Sequence, residues 1–468
     1  MRCVLAHIAK GVDGTPASPA VDHLGLASLA GVLAEGGHDV SILDTLLHDV
    51  PDEGLASRAA AERPDIVGYS VNYSNVDDVF ASARELRRLY PHAAVVAGGS
   101  YATFHCDDLL SADTPFHGVV LGEGEIPFLY MANAGADCAM WCDIPGVAVR
   151  TSDGIRNTNP KPGLEFAALG RRSYEQLSHL TRFPRLCYRV AIESSRGCAH
   201  SCSFCSIAAS QRMAGCAAVR RLRSPTAVAD EVRHVVEAYG LRDFWFMDAD
   251  FLGQPSEKSR VLEIARRIAE LGVDVSLEID ARADAVDEQV IEALCRAGLQ
   301  RCFVGVESFD DATLKMFGKK TSGHVNIRAI EVLEKFGVRP ILGMIMFHPQ
   351  STLAQLRQDH AMLRNFGYEK TQMLFRLKKY KGSRDAGQKQ DSDGRGVAPW
   401  EDYGWEFDNP EIAEAWEKFD ALRLEAMDEV FVHMTHEFRN GQITPEDFSS
   451  RSDAVFRTFG ENVDAILG

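Results

Sequence analysis

The chain has 468 residues with a formal net charge of −17, and 46% of its residues are hydrophobic. This acidic balance disfavours sequence-independent binding to nucleic acid, whose phosphates need a basic surface to neutralise them. No apolar run approaches the roughly 18 uncharged residues of a membrane span, and the N-terminus lacks the basic flank of a signal peptide. We therefore expect a cytoplasmic chain without nucleic-acid or membrane partners, whose eleven cysteines are reduced, buried or metal-bound.

Residues 1–150 alternate short apolar runs with amphipathic segments, which predicts a doubly wound α/β domain with a parallel sheet covered by helices. Turn dipeptides such as Gly36-Gly37 separate these elements. Strands are predicted at residues 2–8, 39–43, 66–70, 94–97, 118–121 and 147–150, and helices at residues 27–35 and 76–89. Residues 151–185 show little periodicity and are predicted to form a linker with one helix near residues 174–179.

A second series of strand and helix patterns fills residues 186–385. Strands are predicted at residues 189–193, 243–247, 276–279, 301–306 and 342–347, and helices at residues 227–239, 258–271, 287–297 and 323–336. Repeated strand–helix units of this length predict a barrel or part of one, with its chemistry at the C-terminal ends of the strands. Residues 386–468 begin as a polar loop and are then predicted to be mainly helical, with a helix at 412–438.

Three cysteines with the spacing C-x3-C-x2-C lie in one short segment at the start of this second region: Cys198, Cys202 and Cys205. Soft thiolates suit iron, and three of them in one loop can ligate three irons of a cubane [4Fe–4S] cluster. The fourth iron would stay open, and an open metal position is where a small molecule can bind and react. A zinc site is the alternative, with His200 or Cys216 as its fourth ligand.

With Phe204 in its aromatic position, this loop resembles the C-x3-C-x-aromatic-C signature of the radical S-adenosylmethionine superfamily. The resemblance implies a partial barrel of six β/α units. It also implies that the open iron binds the amino and carboxylate groups of S-adenosylmethionine, and that the reduced cluster cleaves it to methionine and a 5′-deoxyadenosyl radical. An electron donor such as flavodoxin or ferredoxin would reduce the cluster, and a small molecule would be the substrate.

Three later runs resemble the cofactor contacts of that superfamily. Each follows or ends a predicted strand, and together they supply Asp248 and Asp250, Glu278 and Arg282, and Glu307 and Ser308. The resemblance implies that the aspartates receive the methionine ammonium, that the arginine pairs with its carboxylate, and that the last two residues bond the carboxylate or the ribose. For each residue alone, a surface salt bridge or a helix cap is the alternative.

Residues 1–150 resemble the cobalamin-binding domain found ahead of many such radical enzymes. The resemblance rests on short runs that include Gly25, Ser70, Gly98, Gly99, Thr103, Gly122, Glu123 and Gly124. Glycines at strand ends let the backbone approach a bulky ligand in the crevice where such sheets bind cofactors. In the alternative interpretation these glycines only make turns. The chain lacks a D-x-H-x-x-G run, so any cobalamin is expected to lack that histidine ligand to cobalt.

Together the two resemblances indicate a cobalamin-dependent radical enzyme, with C-methylation of a specialised metabolite as the leading interpretation. The alternatives are a rearrangement, ring contraction, deoxygenation, decarboxylation or sulfur insertion or exchange on the same architecture, or a cobalamin or redox sensor without turnover. The eight other cysteines are expected to be mostly buried. Substrate contacts are assigned to His348, Tyr403, Trp405 and His433, for which packing or capping is the alternative.

Overall fold

The computed structural model describes residues 1–10, 20–111, 113–159, 172–183, 185, 187–216, 220–367, 373–378, 381, 383–384, 405–439 and 441–467. The chain divides into two compact units. Unit 1 includes Met1–Phe183 and Ser206–Arg221, and unit 2 includes Pro184–Cys205, Leu222–Gly387 and Glu401–Gly468. Among the described residues, no helix is long and apolar enough to cross a membrane.

Unit 1 is built on a seven-stranded sheet with the strand order β3-β1-β4-β5-β6-β7-β8. The strands of this unit are β1 Arg2–His7, β2 Ala20–Val21, β3 Asp39–Asp44, β4 Ile66–Ser70, β5 Ala94–Gly98, β6 Gly118–Val120, β7 Val147–Thr151 and β8 Gly154–Asn157. Its helices are α1 Leu24–Glu35, α2 Leu55–Ala61, α3 Val76–Leu89, α4 Ser100–Phe104, α5 Cys106–Leu109, α6 Glu125–Ala134, α7 Glu175–Leu180 and α8 Ile207–Met213.

The central strands of unit 1 are apolar on both faces because helices cover both faces of the sheet. Along β1, Cys3 and Leu5 join a cluster with residues of α1 and α6, whereas Val4 and Ala6 join a cluster with residues of α2 and α3. The chain leaves β1 toward β3 on one side and later returns to β4 on the other. The crevice between β1 and β4 is therefore the topological switch point, where doubly wound sheets bind ligands.

The predicted α/β class is confirmed, but one expectation about the sheet is wrong. Strands β3, β1, β4, β5 and β6 pair in parallel, whereas β7 pairs antiparallel with both β6 and β8. Strand β8 lies in the segment that the sequence assigned to a linker. A hairpin at Asp153-Gly154 links β7 and β8, and this short connection allows only antiparallel pairing.

Unit 2 contains six parallel strands in the order β16-β15-β14-β13-β12-β9, which form the partial barrel that the sequence predicts. They are β9 Tyr188–Ile192, β12 Asp243–Phe246, β13 Ser276–Arg282, β14 Leu299–Glu307, β15 Arg339–Phe347 and β16 Met373–Arg376, with short strands β10 Ser195–Gly197 and β11 Arg220–Leu222 in between. The helices are α9 Pro225–Tyr239, α10 Lys258–Ala269, α11 Glu288–Arg296, α12 Asp311–Met316, α13 Gly323–Lys335 and α14 Leu353–Phe366. Strand β16 and helix α14 had no counterpart among the predicted elements.

The C-terminal segment is helical, as the sequence predicts, but its division differs. Helix α15 spans Pro410–Met427, a π-helical segment follows at Asp428–Met434, and α16 spans Thr435–Arg439. Helix α17, Pro445–Leu467, was not predicted. Its buried side chains recur at helical spacing, at Phe456, Phe459 and Val463, and it packs on α14 and α15.

Candidate functional site

The three-cysteine loop begins directly after β9 and β10 and is anchored to the end of helix α12. The three cysteines are not joined in disulfides, and each is partly exposed. The backbone N–H of Ser203 donates to the carbonyl of Phe317 at 2.8 Å, and the Phe204 ring packs edge-on against the Phe317 ring with centroids 5.4 Å apart. These contacts place the loop at the C-terminal end of the unit 2 strands, where barrel enzymes hold their reactants.

The donor set of this loop fits an iron–sulfur cluster better than a single metal ion. Within the residues that the structure describes, no group of three or more His, Cys, Asp and Glu side chains is placed to hold one ion, so the zinc alternative gains no support. In a cubane cluster each thiolate binds a different iron, so its ligands need not converge on one point. Soft thiolate ligands such as these are the ligands that iron–sulfur clusters prefer.

Asp248 anchors the segment that leads into the cysteine loop. Its carboxylate is 1% exposed and accepts hydrogen bonds from the Ser194 N–H at 2.9 Å, from the Ser194 hydroxyl at 2.7 Å and from the Ser195 hydroxyl. Asp250 is equally buried and accepts from the Gly253 N–H at 3.2 Å. The structure thus gives both aspartates protein partners, and Asp248 joins the end of β12 to the start of the loop.

We expect Asp248→Asn to lower the free energy of unfolding by about 1–3 kcal/mol, because an amide NH2 would face a buried backbone N–H. The loss should appear in urea unfolding of the protein without cofactors. Asp250→Asn, at an equally buried aspartate that accepts from the Gly253 N–H, is the matched comparison. An Asp248→Asn variant with unchanged stability and weakened S-adenosylmethionine binding would instead support the ammonium contact implied by the resemblance.

Glu278 and Arg282 occupy alternate positions of β13 and serve different neighbours. Glu278 accepts hydrogen bonds from Arg301 at 2.6 Å and Arg189 at 3.1 Å, which forms an ion-pair layer across three strands. Arg282, at the C-terminal end of the strand, donates to Asp284 and to the sulfur of Cys202, the latter at 3.4 Å. The structure therefore brings Arg282, and not Glu278, to the cysteine loop.

Glu307 and Ser308 end β14 at the same edge of the sheet. Glu307 has a φ of +65°, an uncommon conformation for a residue with a side chain, and its carboxylate pairs with Lys319. A β-bulge lies between Gly305 and Glu307, and a Cβ on Gly305 would come within 2.8 Å of both paired side chains. Ser308 is fully buried and donates to Asp359 at 2.9 Å. This serine has a structural partner, whereas Glu307 is held in a strained position of the kind that occurs at functional sites.

Asp280 is a candidate that sequence reasoning missed. It lies between Glu278 and Arg282 on the same strand face, and its carboxylate accepts one hydrogen bond, from Trp245 Nε1 at 2.9 Å. Burial, with further contributions from the charges of Glu278 and Asp248, raises its pKa to about 7. Asp280 lies two residues from both Glu278 and Arg282, and side chains at this spacing in a strand share one face. This spacing could have identified it from the sequence.

The raised pKa of Asp280 makes a prediction about pH dependence. The folded chain binds this proton more tightly than the unfolded chain, in which the aspartate has a pKa near 3.8. The contribution of Asp280 to the free energy of unfolding therefore falls as the pH rises from about 4 to about 7. We expect Asp280→Asn to be more favourable to stability, relative to the native chain, at pH 8 than at pH 4. Denaturant unfolding at both pH values measures this. An identical difference at both would show that Asp280 titrates normally.

Of the residues assigned to substrate contacts, His348 and Trp405 both adjoin the apolar cluster around Phe317, against which Phe204 of the cysteine loop also packs. His348 is 3% exposed and packs against Phe317, and burial lowers its pKa to about 4. Neither of its ring nitrogens has a hydrogen-bond partner among the residues that the structure describes. Trp405 donates to the Leu377 carbonyl at 2.7 Å, which is a packing role. His433 is exposed and bonds Asp428 at 3.0 Å, and Tyr403 lies outside the described residues.

Unit 1 gathers polar groups at its switch point. His23 accepts a hydrogen bond from the Leu26 N–H at 3.1 Å through Nδ1, so its Nε2 carries the proton and donates to Ser70 at 2.9 Å. Its ring packs edge-on against His7, whose Nδ1 donates to Asp44 at 2.6 Å. Ser70 thus lies in a hydrogen-bonded group at the ends of β1, β3 and β4, where doubly wound sheets bind ligands.

The glycines of unit 1 fall into two kinds. Gly99 and Gly122 have φ values of +101° and +74°, so the backbone itself requires them. Thr103 links the two, because its hydroxyl donates to the Gly99 carbonyl and accepts from the Gly122 N–H, at 2.9 and 3.0 Å. Gly98 is different, since among the described residues, apart from its chain neighbours, an added Cβ would meet no atom closer than 3.8 Å. The fold does not explain this glycine, and its open face fits the close approach of a ligand.

The remaining predicted contacts of unit 1 have protein neighbours. A Cβ on Gly124 would lie 3.1 Å from Leu29, and one on Gly25 would lie 3.4 Å from His23. Glu123 pairs with Arg221. Of the eight cysteines outside the loop, only Cys3, Cys187 and Cys302 are buried, so the expectation of mostly buried thiols is wrong for the five that are partly exposed.

Two family models match the chain. Residues 192–363 match the radical SAM superfamily, and residues 14–130 match the B12 binding domain. The first of these ranges contains the cysteine loop and strands β12 to β15, and the second contains strands β3 to β6 with Ser70 and Gly98. Each match therefore falls on the unit that carries the corresponding candidate site.

Relatives with curated names agree with these matches. The chain is 28% identical to an uncharacterised methyltransferase of Pyrococcus horikoshii, over 73% of this chain and 72% of that protein. It is 28% identical to an anaerobic magnesium-protoporphyrin IX monomethyl ester cyclase of Synechocystis, over 67% and 62%, and 27% identical to the hopanoid C-3 methylase of Methylococcus capsulatus, over 69% and 61%. The chain thus spans about three fifths of the latter two proteins.

Two solved structures share the fold. The cobalamin-dependent S-adenosylmethionine radical enzyme OxsB, with aqua-cobalamin and S-adenosylmethionine bound, superposes with a TM-score of 0.78 at 16% identity, over 98% of this chain and 71% of that chain. The radical S-adenosylmethionine methyltransferase TsrM of Kitasatospora setae gives a TM-score of 0.62 at 20% identity, over 78% and 71%. At these identities the likeness concerns the architecture.

Proposed function

Since this chain belongs to the radical S-adenosylmethionine superfamily, in the group that carries a B12-binding domain, we propose that it methylates a carbon of a small specialised metabolite. The observation that carries the proposal is the presence of both sites in one chain. In unit 2, a loop of three cysteines that form no disulfide follows β9 and β10, and in unit 1 the open side of Gly98 lies beside Ser70 at the switch point. Named methylases among the relatives support the same reaction class.

In this proposal each group of residues has a separate role. Cys198, Cys202 and Cys205 would hold the cluster, while Asp248 fixes the segment that leads into their loop. The edge of unit 1 near Ser70 and Gly98 would receive the corrinoid. When bound, the cluster supplies the electron that cleaves S-adenosylmethionine, and cobalamin supplies the methyl group. The protein's own contribution is to position these groups and to limit the access of water.

The partners follow from the same proposal. Cleavage of S-adenosylmethionine needs one electron, so a small redox protein such as flavodoxin or ferredoxin is the expected donor. The net charge of −17 supports a protein that does not bind nucleic acid. We place it in the cytoplasm, as the sequence predicts.

A second candidate is a radical reaction without methyl transfer on the same architecture. The relationship to a monomethyl ester cyclase favours this alternative, because that protein is named for ring formation. The two candidates share the cluster and differ in the fate of the methyl group.

Anaerobic product analysis separates them. The reconstituted chain, reduced and supplied with S-adenosylmethionine labelled on its methyl group, is incubated with a small-molecule extract of the source organism. We expect label in a new product and 5′-deoxyadenosine in the same sample, and neither product with the Cys202→Ala variant. An unlabelled new product would establish the second candidate, and the absence of both 5′-deoxyadenosine and any product would contradict radical catalysis.

A substitution at Gly98 tests the corrinoid site. Because an added Cβ comes no closer than 3.8 Å to the described residues beyond its chain neighbours, Gly98→Ala should leave the urea unfolding midpoint nearly unchanged, and Gly98→Leu is used where its midpoint stays close to the native one. Gly98→Leu should nevertheless reduce hydroxocobalamin uptake at least tenfold, with Gly98→Ala intermediate, since the side chain would occupy the space of the ligand. Uptake is measured from visible absorbance after desalting. If a folded Gly98→Leu variant takes up hydroxocobalamin fully, the corrinoid does not bind at this edge of unit 1.

A further inference from the structure

Arg282 reaches the cysteine loop from the last position of β13. The residue is 6% exposed, and its Nη1 lies 3.4 Å from the sulfur of Cys202, which is 80 residues earlier in the chain. A guanidinium donates hydrogen bonds and never accepts them, so the sulfur is the acceptor.

Other protein contacts fix the orientation of this guanidinium. Its Nε and Nη2 each donate to one oxygen of Asp284 at 2.9 Å, and Nη2 also donates to the Lys319 carbonyl at 2.7 Å. With the bond to sulfur, four of the five N–H groups of Arg282 are engaged. The fork that would grip a carboxylate in a bidentate manner is already filled by Asp284.

This geometry differs from the role implied by the family resemblance, in which Arg282 pairs with the carboxylate of S-adenosylmethionine. One N–H of Nη1 remains, and a single donor cannot make a two-bonded clamp. The buried side of the guanidinium instead faces a thiolate. The Asp284 side chain is 31% exposed against 8% for Arg282, so water screens the carboxylate more than the guanidinium.

We propose that Arg282 is a positioning residue that hydrogen-bonds the Cys202 thiolate of the iron–sulfur cluster and raises the reduction potential of that cluster. The inference rests on the proposed function in one respect, which is that Cys202 ligates the cluster. Reduction adds negative charge that the thiolates share, and a cationic donor at a thiolate stabilises the reduced form. Arg282 thereby makes the electron from the donor protein easier to accept.

Two substitutions shift the potential in opposite directions. Arg282→Gln removes the charge, and the midpoint potential should become more negative. Asp284→Asn removes the opposing carboxylate charge but keeps an oxygen that can accept from Nε, and the midpoint potential should become less negative. Arg296→Gln, which removes a surface arginine paired with Glu292 on α11, is the matched control and should leave the potential unchanged.

The measurement is a redox titration of the reconstituted full-length chain, followed by electron paramagnetic resonance without S-adenosylmethionine. Iron and sulfide content is determined for every variant. An Arg282→Gln variant with full cluster content and the native potential would overturn the inference, and so would an Asp284→Asn variant with the native potential. If Arg282→Gln loses its cluster, the Asp284→Asn result decides alone.

The same samples distinguish two further possibilities. A native potential combined with weaker S-adenosylmethionine binding in Arg282→Gln would assign the residue to the cofactor carboxylate and overturn the proposal. A native chain that assembles no cluster would contradict the proposed function itself. Failure of the inference is therefore visible separately from failure of the function.

Discussion

Cys202→Ala should abolish both cluster assembly and the cleavage of S-adenosylmethionine. Cys202 is the central cysteine of the loop and the one whose sulfur accepts a hydrogen bond from Arg282. With alanine at this position one iron would lose its ligand, and the two remaining cysteines cannot hold a cubane on their own. The expected result is loss of the visible iron–sulfur absorption and of 5′-deoxyadenosine formation under reducing conditions.

Cys216→Ala is the control for this experiment. Cys216 is partly exposed, lies eleven residues beyond Cys205, and is one of the two candidates, with His200, for the fourth ligand of the alternative zinc site. If the cluster assignment is right, the Cys216→Ala variant keeps its iron, its absorption and its activity. If the native chain instead contains one zinc ion per chain, and both variants lose that zinc, the loop is a zinc site and the cluster assignment is wrong.

The sequence was most informative where the chemistry is local. The three cysteines lie within eight residues, and the strands of both units show as short apolar runs because both faces of a parallel sheet are buried. Strand direction is a different matter. Val147–Thr151 has the same apolar pattern as its parallel neighbours, and only its connections make it antiparallel. Periodicity identifies a strand without giving the direction of its partner.

Side-chain partners were the part that the sequence could not supply. Asp248 was identified as an important carboxylate, but its bonds to Ser194 and Ser195 span more than fifty residues. Asp280 was passed over because its significance depends on the strands beside it, which leave it one hydrogen bond and a raised pKa. Contacts of this kind follow from the register of neighbouring strands, which no local pattern specifies.

The positive φ of Glu307 is another feature that the local sequence pattern does not specify, and it lies at the candidate site. A residue with a Cβ adopts this conformation at a cost of about 1–3 kcal/mol, and the surrounding structure has to hold it there. Here the bulge after Gly305 and the ion pair with Lys319 do so. The ion pair is buried, with side chains that are 4% exposed for the lysine and 11% for the glutamate. It also continues toward the cysteines, because the carbonyl of Lys319 accepts a hydrogen bond from Arg282.

Lys319→Met should therefore lower the free energy of unfolding by about 3–5 kcal/mol, because it leaves the buried carboxylate of Glu307 without its partner. Glu307→Gln removes the charge from the other side, and the double variant should recover a large part of the loss, since neither residue then carries an uncompensated charge. Denaturant unfolding of all four proteins gives the coupling energy. A coupling near zero would mean that solvent or another group satisfies Glu307. A large coupling would establish that the strained end of β14 is held by this pair, which the carbonyl of Lys319 joins to the arginine at the cysteine loop.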